Sequence, residues 1–237
     1  MIIYGRNVLI EALKSDFLFE EIYFETNLKQ EGKIDEIVAL AKRRGIKIEL
    51  LDKRKLSKLS NSEEHQGVAA KIDFHLTSLN ELFEDHKNLN KSYIYISEAT
   101  FEHNVGAIIR TAECAGLGGV IIPNDIEITS TVIKISTGAA FHIPIIGLNI
   151  YQAVKDFKDN GFEIIGIERD GQNLFNSNMK NPALLIIGGE DKSLSTNLRE
   201  RCDKIIEIPQ AGKVNSLNMS VAAGIVIFQH INQLKNV

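Results

Sequence analysis

Hydrophobic and polar positions follow two different spacings in the first third of the chain. Alternation with a period of two, typical of half-buried strands, predicts strands over Glu20–Glu25, Ile46–Leu51 and, after a turn, within His65–Phe74. Apolar residues three and four apart predict helices over Tyr4–Leu13 and Ile34–Arg44. The second helix is predicted to end at Gly45. Together these elements predict a small α/β domain over residues 1–74.

A polar stretch, residues 75–91, is predicted to be a linker with a short helix around Leu79–Phe83. Beyond it, residues 92–237 alternate short apolar runs with helical patterns. The runs are Ser92–Ser97, Gly119–Pro123, Ile143–Leu148, Phe162–Ile167, Ala183–Gly188 and Lys204–Pro209. The helical patterns include Val105–Ala115, Tyr151–Asn160, Leu194–Arg201 and about Leu217–Leu234. This alternation predicts an α/β fold with a mostly parallel sheet and helices on both faces, in which ligands bind at the carboxyl ends of strands.

Composition favours a globular protein without membrane spans. Hydrophobic residues make up 44% of the chain, and no apolar run reaches the roughly 18 residues that a membrane helix needs. The apolar start of the chain is too short for a signal peptide, so a cytoplasmic protein is expected. Cys114 and Cys202 lie far apart, without C-x-x-C spacing or a histidine cluster, which predicts buried thiols and no metal site.

The formal net charge of −4 counts mildly against nucleic-acid binding, but the charge is unevenly distributed. Residues 42–58 hold eight Lys or Arg side chains against only Glu49 and Asp52. Two interpretations of this run stay open. It is either the solvated end of a helix or a local patch that binds phosphates.

Three segments at strand ends combine glycines with polar side chains. In the first, Asn104 lies where a loop enters a helix, where free backbone N–H groups bind anions, and Arg110 follows six residues later. A structural ion pair is the simpler role for a single arginine. In the second, an apolar strand runs into Gly188, and glycine lets the backbone approach a ligand closely. In the third, Ser216 and Asn218 precede an apolar helix, where either of them would also serve as a helix cap.

In this order and at these spacings, the segments resemble the three motifs of the SpoU (TrmH-like) family of RNA 2′-O-ribose methyltransferases, within the knotted SPOUT class. The first motif, Asn-x-Gly-x-x-x-Arg, is met by Asn104, Gly106 and Arg110, and the second by Gly188 and Glu190. The third motif is met by Ile208, Pro209, Gly212, Ser216, Leu217, Asn218 and Ser220. Many relatives have Asp-Pro where this chain has Phe101 and Glu102.

The N-terminal third shares the resemblance. Ile3–Leu13 and His65–Ala70 are similar to the substrate-binding domain that many of these enzymes carry, which is related in fold to RNA-binding ribosomal proteins. The resemblance therefore implies an RNA-binding domain over 1–74, a linker over 75–91 and a catalytic domain over 92–237 with a deep trefoil knot. It also implies a homodimer whose active site draws on the subunit interface.

The resemblance also implies the chemistry. S-adenosylmethionine, the methyl donor, would be held by Gly188, Ile208 and Leu217, and no metal is implied. Arg110 occupies the matched catalytic position, with Asn104, Glu190, Ser216 and Asn218 as positioning groups. Because arginine, with an ordinary pKa above about 12, is a poor base, its role stays open between a perturbed base, a proton relay to an RNA phosphate and a group that orients the hydroxyl.

The substrate implied by the two-domain layout is a guanosine of 23S ribosomal RNA, with a guanosine of transfer RNA as the alternative. Two other classes are weighed against it. A non-catalytic RNA-binding or ribosome-assembly protein has no need of the intact third motif. Methylation of a base rather than a ribose fits the first motif less well.

Overall fold

The computed structural model of the chain describes residues 1–29, 31–84, 90–98, 101–189, 193–214 and 216–234. The strands, in chain order, are β1 (Ile2–Tyr4), β2 (Leu18–Glu25), β3 (Ile48–Leu51), β4 (Val68–Asp73), β5 (Tyr93–Ile96), β6 (Gly119–Ile122), β7 (Ile145–Gly147), β8 (Glu163–Asn173), β9 (Ala183–Ile187) and β10 (Lys204–Glu207). The helices are α1 (Arg6–Lys14), α2 (Lys33–Arg43), α3 (Lys53–Ser60), α4 (Leu79–Glu84), α5 (Glu102–Ala115), α6 (Ser130–Ile135), α7 (Ile150–Asp159), α8 (Thr196–Arg201) and α9 (Met219–Leu234).

The chain forms two compact units. The N-terminal unit comprises Met1–His75 together with Ile128–His142, and the C-terminal unit comprises Leu76–Glu127 together with Ile143–Val237. The predicted domain limits, 1–74, 75–91 and 92–237, remain a prediction. The N-terminal compact unit also includes Ile128–His142, which the sequence placed in the catalytic domain. None of the helices in the described residues is long and apolar enough to span a membrane.

The N-terminal unit is built on a four-stranded sheet in the order β1-β4-β2-β3. Its pairings are antiparallel except for the parallel pair β2–β3. Helix α1 packs on α2, and α6 packs on β1, where the Lys134 ammonium lies 5.4 Å from the centre of the Tyr4 ring. The guanidinium of Arg44 donates to the carbonyl oxygens of Ser15 at 2.8 Å and Phe17 at 2.6 Å, just beyond α1. Arg44 therefore holds the exit of α1 in place.

The C-terminal unit is built on a six-stranded sheet in the order β10-β8-β9-β5-β6-β7, and all of its pairings are parallel. On one face Tyr93 and Tyr95 pack with Phe157 of α7 in a cluster that also includes side chains of α4 and α8. Alternate residues such as Ile94 and Ile96 are equally buried, so the sheet is covered on both faces. The predicted α/β fold with a parallel sheet is confirmed.

Cys114 departs from its prediction. It is exposed on α5, whereas Cys202 is half-buried. Burial raises the pKa of the Cys202 thiol to about 11, which keeps that thiol protonated and unreactive near neutral pH. Cys114 lies one helical turn beyond Arg110 and shares its exposed face because residues four apart are neighbours on a helix.

Candidate active site

A pocket opens at the carboxyl ends of three neighbouring strands, β9, β8 and β10, and the segment that leads into α9 closes one side of it. Four of the predicted site residues line this pocket: Gly188, Ile208, Ser216 and Leu217. Gly188 follows β9, Ile208 follows β10, and the other two precede α9. The parallel sheet brings them together because the carboxyl ends of parallel strands share one edge.

One wall of the pocket comes from an irregularity in β8 that sequence reasoning missed. The register between β10 and β8 jumps, so that Ile205 is opposite Gly166 while Ile206 is opposite Gln172. The residues in between are not paired with β10, and three of them, Ile167, Glu168 and Arg169, line the pocket. The available signal was the charged run Glu168–Asp170 directly after an apolar strand at the same sheet edge.

Gly171 makes this irregularity possible. A Cβ on Gly171 would lie 2.7 Å from the carbonyl oxygen of Ile205 and 2.7 Å from the carbonyl carbon of Ile206, closer than side-chain carbons approach backbone. Glycine is therefore required here by the close approach of β10.

Two carboxylates in the pocket wall bind backbone amides and fix the neighbouring loops. The N–H of Leu194 donates to Glu168 Oε2 at 2.7 Å, and the N–H of Asp170 donates to Glu207 Oε2 at 3.1 Å. The first bond ties the segment after β9 to β8, and the second ties the β8 irregularity to β10. The pocket thus combines apolar side chains with two carboxylates and the guanidinium of Arg169.

Asn104 and Asn218, which the first and third motifs contribute, meet directly. The side-chain amide of Asn218 donates from Nδ2 to Oδ1 of Asn104 at 2.9 Å, and Asn104 is buried. Oδ1 of Asn218 also accepts from the backbone N–H of Ser220 at 2.9 Å, which caps the start of α9. The capping role and the predicted site role therefore coexist in Asn218. It fixes the start of α9 against α5.

Arg110 lies away from this group. Six residues at 1.5 Å and 100° each place it about 9 Å along α5 from Asn104 and about 120° around the helix axis. Its side chain is exposed, on the same face as His103, and it has no ion pair within the described residues. The remaining predicted site residue, Glu190, lies outside the described residues.

No group of three or more histidine, cysteine, aspartate or glutamate side chains arranged to hold a metal ion occurs in the described part of the chain. A hydrogen bond between neutral amides joins Asn104 of α5 to Asn218, next to the pocket residue Leu217. The charged side chains that line the pocket are those of Glu168, Glu207 and Arg169.

Comparison with known proteins gives this arrangement a family. Residues 91–228 match the model of the SpoU rRNA Methylase family, and residues 2–78 match the model described as RNA 2'-O ribose methyltransferase substrate binding. The chain belongs to the SpoU rRNA methylase family. The predicted family and the predicted class of enzyme, an RNA methyltransferase, are thereby confirmed.

Relatives extend over almost the full chain. A Bacillus subtilis protein, YacO, whose name assigns it to the TrmH family of tRNA/rRNA methyltransferases, is 34% identical over 95% of this chain and 92% of its own. A protein of Staphylococcus saprophyticus with the same family assignment is 36% identical, over 97% of this chain and 94% of its own.

Solved structures share the fold. The SpoU methyltransferase AviRb of Streptomyces viridochromogenes superposes with a TM-score of 0.84 at 20% identity, over 100% of this chain and 91% of its own. An rRNA methyltransferase of Sinorhizobium meliloti has a TM-score of 0.83 at 23% identity, over 98% of this chain and 87% of its own. Both of those enzymes hold AdoMet, the methyl donor predicted from the sequence.

Proposed function

We propose that this protein transfers a methyl group from S-adenosylmethionine to the ribose 2′-hydroxyl of a guanosine in 23S ribosomal RNA, in the cytoplasm. The observation that carries the proposal is the convergence of the second- and third-motif residues on one pocket, tied to the first motif through the Asn104–Asn218 hydrogen bond. Membership of the SpoU family supplies the class of reaction.

The chemistry of the pocket suits the methyl donor. Ile208 and Leu217 offer apolar contact for adenine, and the backbone at Gly188 offers hydrogen-bonding groups at a strand end. The carboxylates of Glu168 and Glu207 favour a ligand that carries positive charge. S-adenosylmethionine, when bound, supplies the electrophilic methyl carbon, and the chain's own residues must orient the ribose hydroxyl and assist the loss of its proton.

Arg110 is the proposed catalytic residue, acting as the group that orients the hydroxyl and an RNA phosphate. A guanidinium presents donors in a planar fork, which matches two oxygens at once. Asn104, Glu190, Ser216 and Asn218 are proposed as positioning groups. The Asn104–Asn218 bond supports this assignment for two of them, since it fixes α5 against the segment that lines the pocket.

A homodimer accounts for the exposed position of Arg110. Helix α9 presents an apolar stripe to solvent. Val221 and Phe228 lie seven residues apart, hence on the same face of the helix, and are 50% and 53% exposed. Helices α5 and α9 pack together, and a Cβ on Gly224 would approach the Thr111 side chain at 3.8 Å. A second copy placed on this face would cover the stripe beside α5, the helix that carries Arg110.

The trefoil knot and the kinship of the N-terminal domain with ribosomal proteins are part of the same proposal. Strands β9 and β10 flank β8, and the chain then returns past Gly188 to begin α9, a path compatible with threading through a loop. The match of residues 2–78 to a substrate-binding model supports an RNA-binding role for the first unit.

The test is a map of ribose methylation. We expect one 2′-O-methylguanosine in 23S ribosomal RNA to disappear when the gene is deleted and to return when it is restored on a plasmid. Purified protein with labelled S-adenosylmethionine should regenerate the same nucleoside, identified by mass spectrometry. Loss of a transfer RNA site instead would transfer the proposal to that substrate, and loss of a base methylation would refute it.

The pocket assignment has its own test. Leu217→Trp places a larger side chain in the pocket wall, so S-adenosylmethionine binding measured by calorimetry should be abolished while RNA binding persists. Val214→Trp, at a side chain that is 76% exposed, is the matched control and should bind normally. Normal titration of a folded Leu217→Trp protein would show that the methyl donor binds elsewhere.

A further inference from the structure

Helix α3 and the turn after it form an open, positively charged concavity in the N-terminal unit. Its lining includes Lys53, Arg54, Ser57, Lys58, Asn61 and Glu63. Arg54, Ser57, Lys58 and Asn61 lie at helical spacings of three, four and seven, so they form one stripe. The helix itself is anchored by the buried Leu56 and capped by Asp52, which accepts from the N–H of Lys55 at 2.9 Å.

Several lysines of this unit are paired with carboxylates. Lys47 pairs with Glu21 at 2.6 Å, Lys71 pairs with Glu20 at 2.6 Å, and Lys14 pairs with Glu36 at 3.3 Å. By contrast, the three cations of the concavity, Lys53, Arg54 and Lys58, are exposed and have no ion pair among the described residues. Their charge is therefore available to a ligand, and among the residues that line the concavity Glu63 is the acidic one.

A buried histidine orients a neutral donor into the same concavity. The backbone N–H of Gly67 donates to Nδ1 of His65 at 3.0 Å, so the proton of the imidazole must be on Nε2. Nε2 lies 3.0 Å from Oγ of Ser57 and donates to it. The hydroxyl hydrogen of Ser57 is then left to donate, and within the described residues it has no protein acceptor.

Three unpaired cations and an oriented hydroxyl donor on one helix face are the chemistry that binds phosphate oxygens. We infer that the α3 concavity is a docking site for the phosphate backbone of the RNA substrate. This inference rests on the proposed function, because it names where in the first unit that RNA is held. Within the basic run of residues 42–58, the inference concerns Lys53, Arg54 and Lys58. Arg44 and Lys47 are occupied by protein partners, whereas Lys42 and Arg43 are exposed and lie outside the concavity.

The test compares two triple variants that remove the same charge. Lys53→Gln, Arg54→Gln and Lys58→Gln together remove the three positive charges of the concavity. Lys14→Gln, Lys47→Gln and Lys71→Gln together remove three cations that are paired with carboxylates. Binding to deproteinised 23S ribosomal RNA is measured against KCl concentration. We expect the first triple to bind at least tenfold more weakly in low salt and its log–log salt slope to shrink by about 2–3, because each phosphate contact contributes about one unit or slightly less.

The control triple should keep its slope near that of the wild type. Ser57→Ala, which leaves the charge unchanged, should weaken binding a few-fold without altering the slope. An equal loss of RNA affinity in both triple variants would mean that RNA is attracted by the overall positive charge and not by the concavity. Unchanged RNA binding by the first triple variant would mean that the concavity is only a solvated surface. Either result overturns the inference.

Methyl transfer separates this inference from the proposed function. With saturating RNA, the first triple should reach the wild-type kcat while its KM for RNA rises, because the C-terminal unit is unaltered. If the wild-type protein methylates no RNA, the proposed function fails, whereas the binding comparison still decides the role of the concavity. A triple variant with wild-type KM would refute the docking site even if methylation is fully active.

Discussion

Arg110 is exposed and does not line the pocket of its own chain. If its planar fork orients the hydroxyl, Arg110→Lys should fail nearly as badly as Arg110→Ala, since lysine keeps only the charge. We expect single-turnover rates with both substrates saturating to fall by about 10²–10³. Affinity for either substrate should change little, because the contact is made chiefly in the transition state.

Arg201→Ala, which removes an exposed arginine of the same unit outside the proposed site, is the control and should keep its rate. Two results would revise the role of Arg110. If Arg110→Ala keeps a single-turnover rate within a few-fold of wild type, the residue is structural. If Arg110→Lys keeps the wild-type rate, the positive charge alone is its contribution.

His230 is a second residue with a measurable signature, located at the base of the sheet. It is fully buried on α9, with Nε2 2.6 Å from Oγ of Ser92. Burial lowers the pKa of His230 from 6.5 to about 4, so the folded protein binds this proton at a lower pH than the unfolded chain does. Its stabilising contribution is complete above pH 6.5 and is lost as pH falls towards 4, by up to about 3 kcal/mol.

Urea unfolding between pH 7.5 and 4 measures that loss. The free energy of unfolding of wild type should fall through this window more steeply than that of His230→Gln, which lacks the titrating group. His103→Gln, which removes an exposed histidine, controls for the loss of an imidazole and should keep the wild-type slope. Parallel curves for wild type and His230→Gln would contradict the assignment.

At the scale of elements, periodicity was sufficient where an element buries one clear face. Predicted helices over Ile34–Arg44 and Tyr151–Asn160 correspond to α2 and α7 to within one residue at either end. The sequence-based prediction missed β1, α3 and α6. β1 has only three residues, and α3 has mostly polar positions, since it buries little beyond Leu56 and Ser60.

Part of the pocket was predictable from the family motifs. Gly188, Ile208 and Leu217 were proposed from their match to the second and third motifs, and all three line the pocket. The wall at Ile167–Arg169 was not predictable, because a break in register depends on the backbone of the neighbouring strand β10, and no local pattern encodes that neighbour. Pairing partners in a parallel sheet are distant in sequence.

The β8 irregularity gives the element-scale prediction. Gly171→Ala would push a methyl group into the backbone of β10, and we expect the free energy of unfolding to fall by about 1–3 kcal/mol. Affinity for S-adenosylmethionine should fall as well, because β10 leads into the pocket at Ile208. Gly212→Ala is the stability control, since open space surrounds a Cβ there. Equal stability of the two variants would mean that the strands separate without cost.

At the scale of the whole molecule, the proposed homodimer predicts how two chains share one reaction. Phe228→Glu introduces charge into the exposed stripe of α9, and we expect sedimentation analysis to show a dimer for wild type and a monomer for this variant. Phe175→Glu is the matched control, because Phe175 is 57% exposed but lies off α9, and it should remain dimeric. A wild-type monomer at micromolar concentration would refute the dimer directly.

The exposed position of Arg110 makes a sharper prediction about that dimer. If Arg110 serves the pocket of the partner subunit, a mixed dimer of Arg110→Ala and Leu217→Trp chains regains one complete site, with the pocket from the first chain and the arginine from the second. Neither variant alone has a complete site. Equal mixing with free exchange makes half of all dimers mixed, so activity should recover to about a quarter of wild type. If Arg110 acts on its own pocket, no dimer has a complete site and the mixture stays inactive.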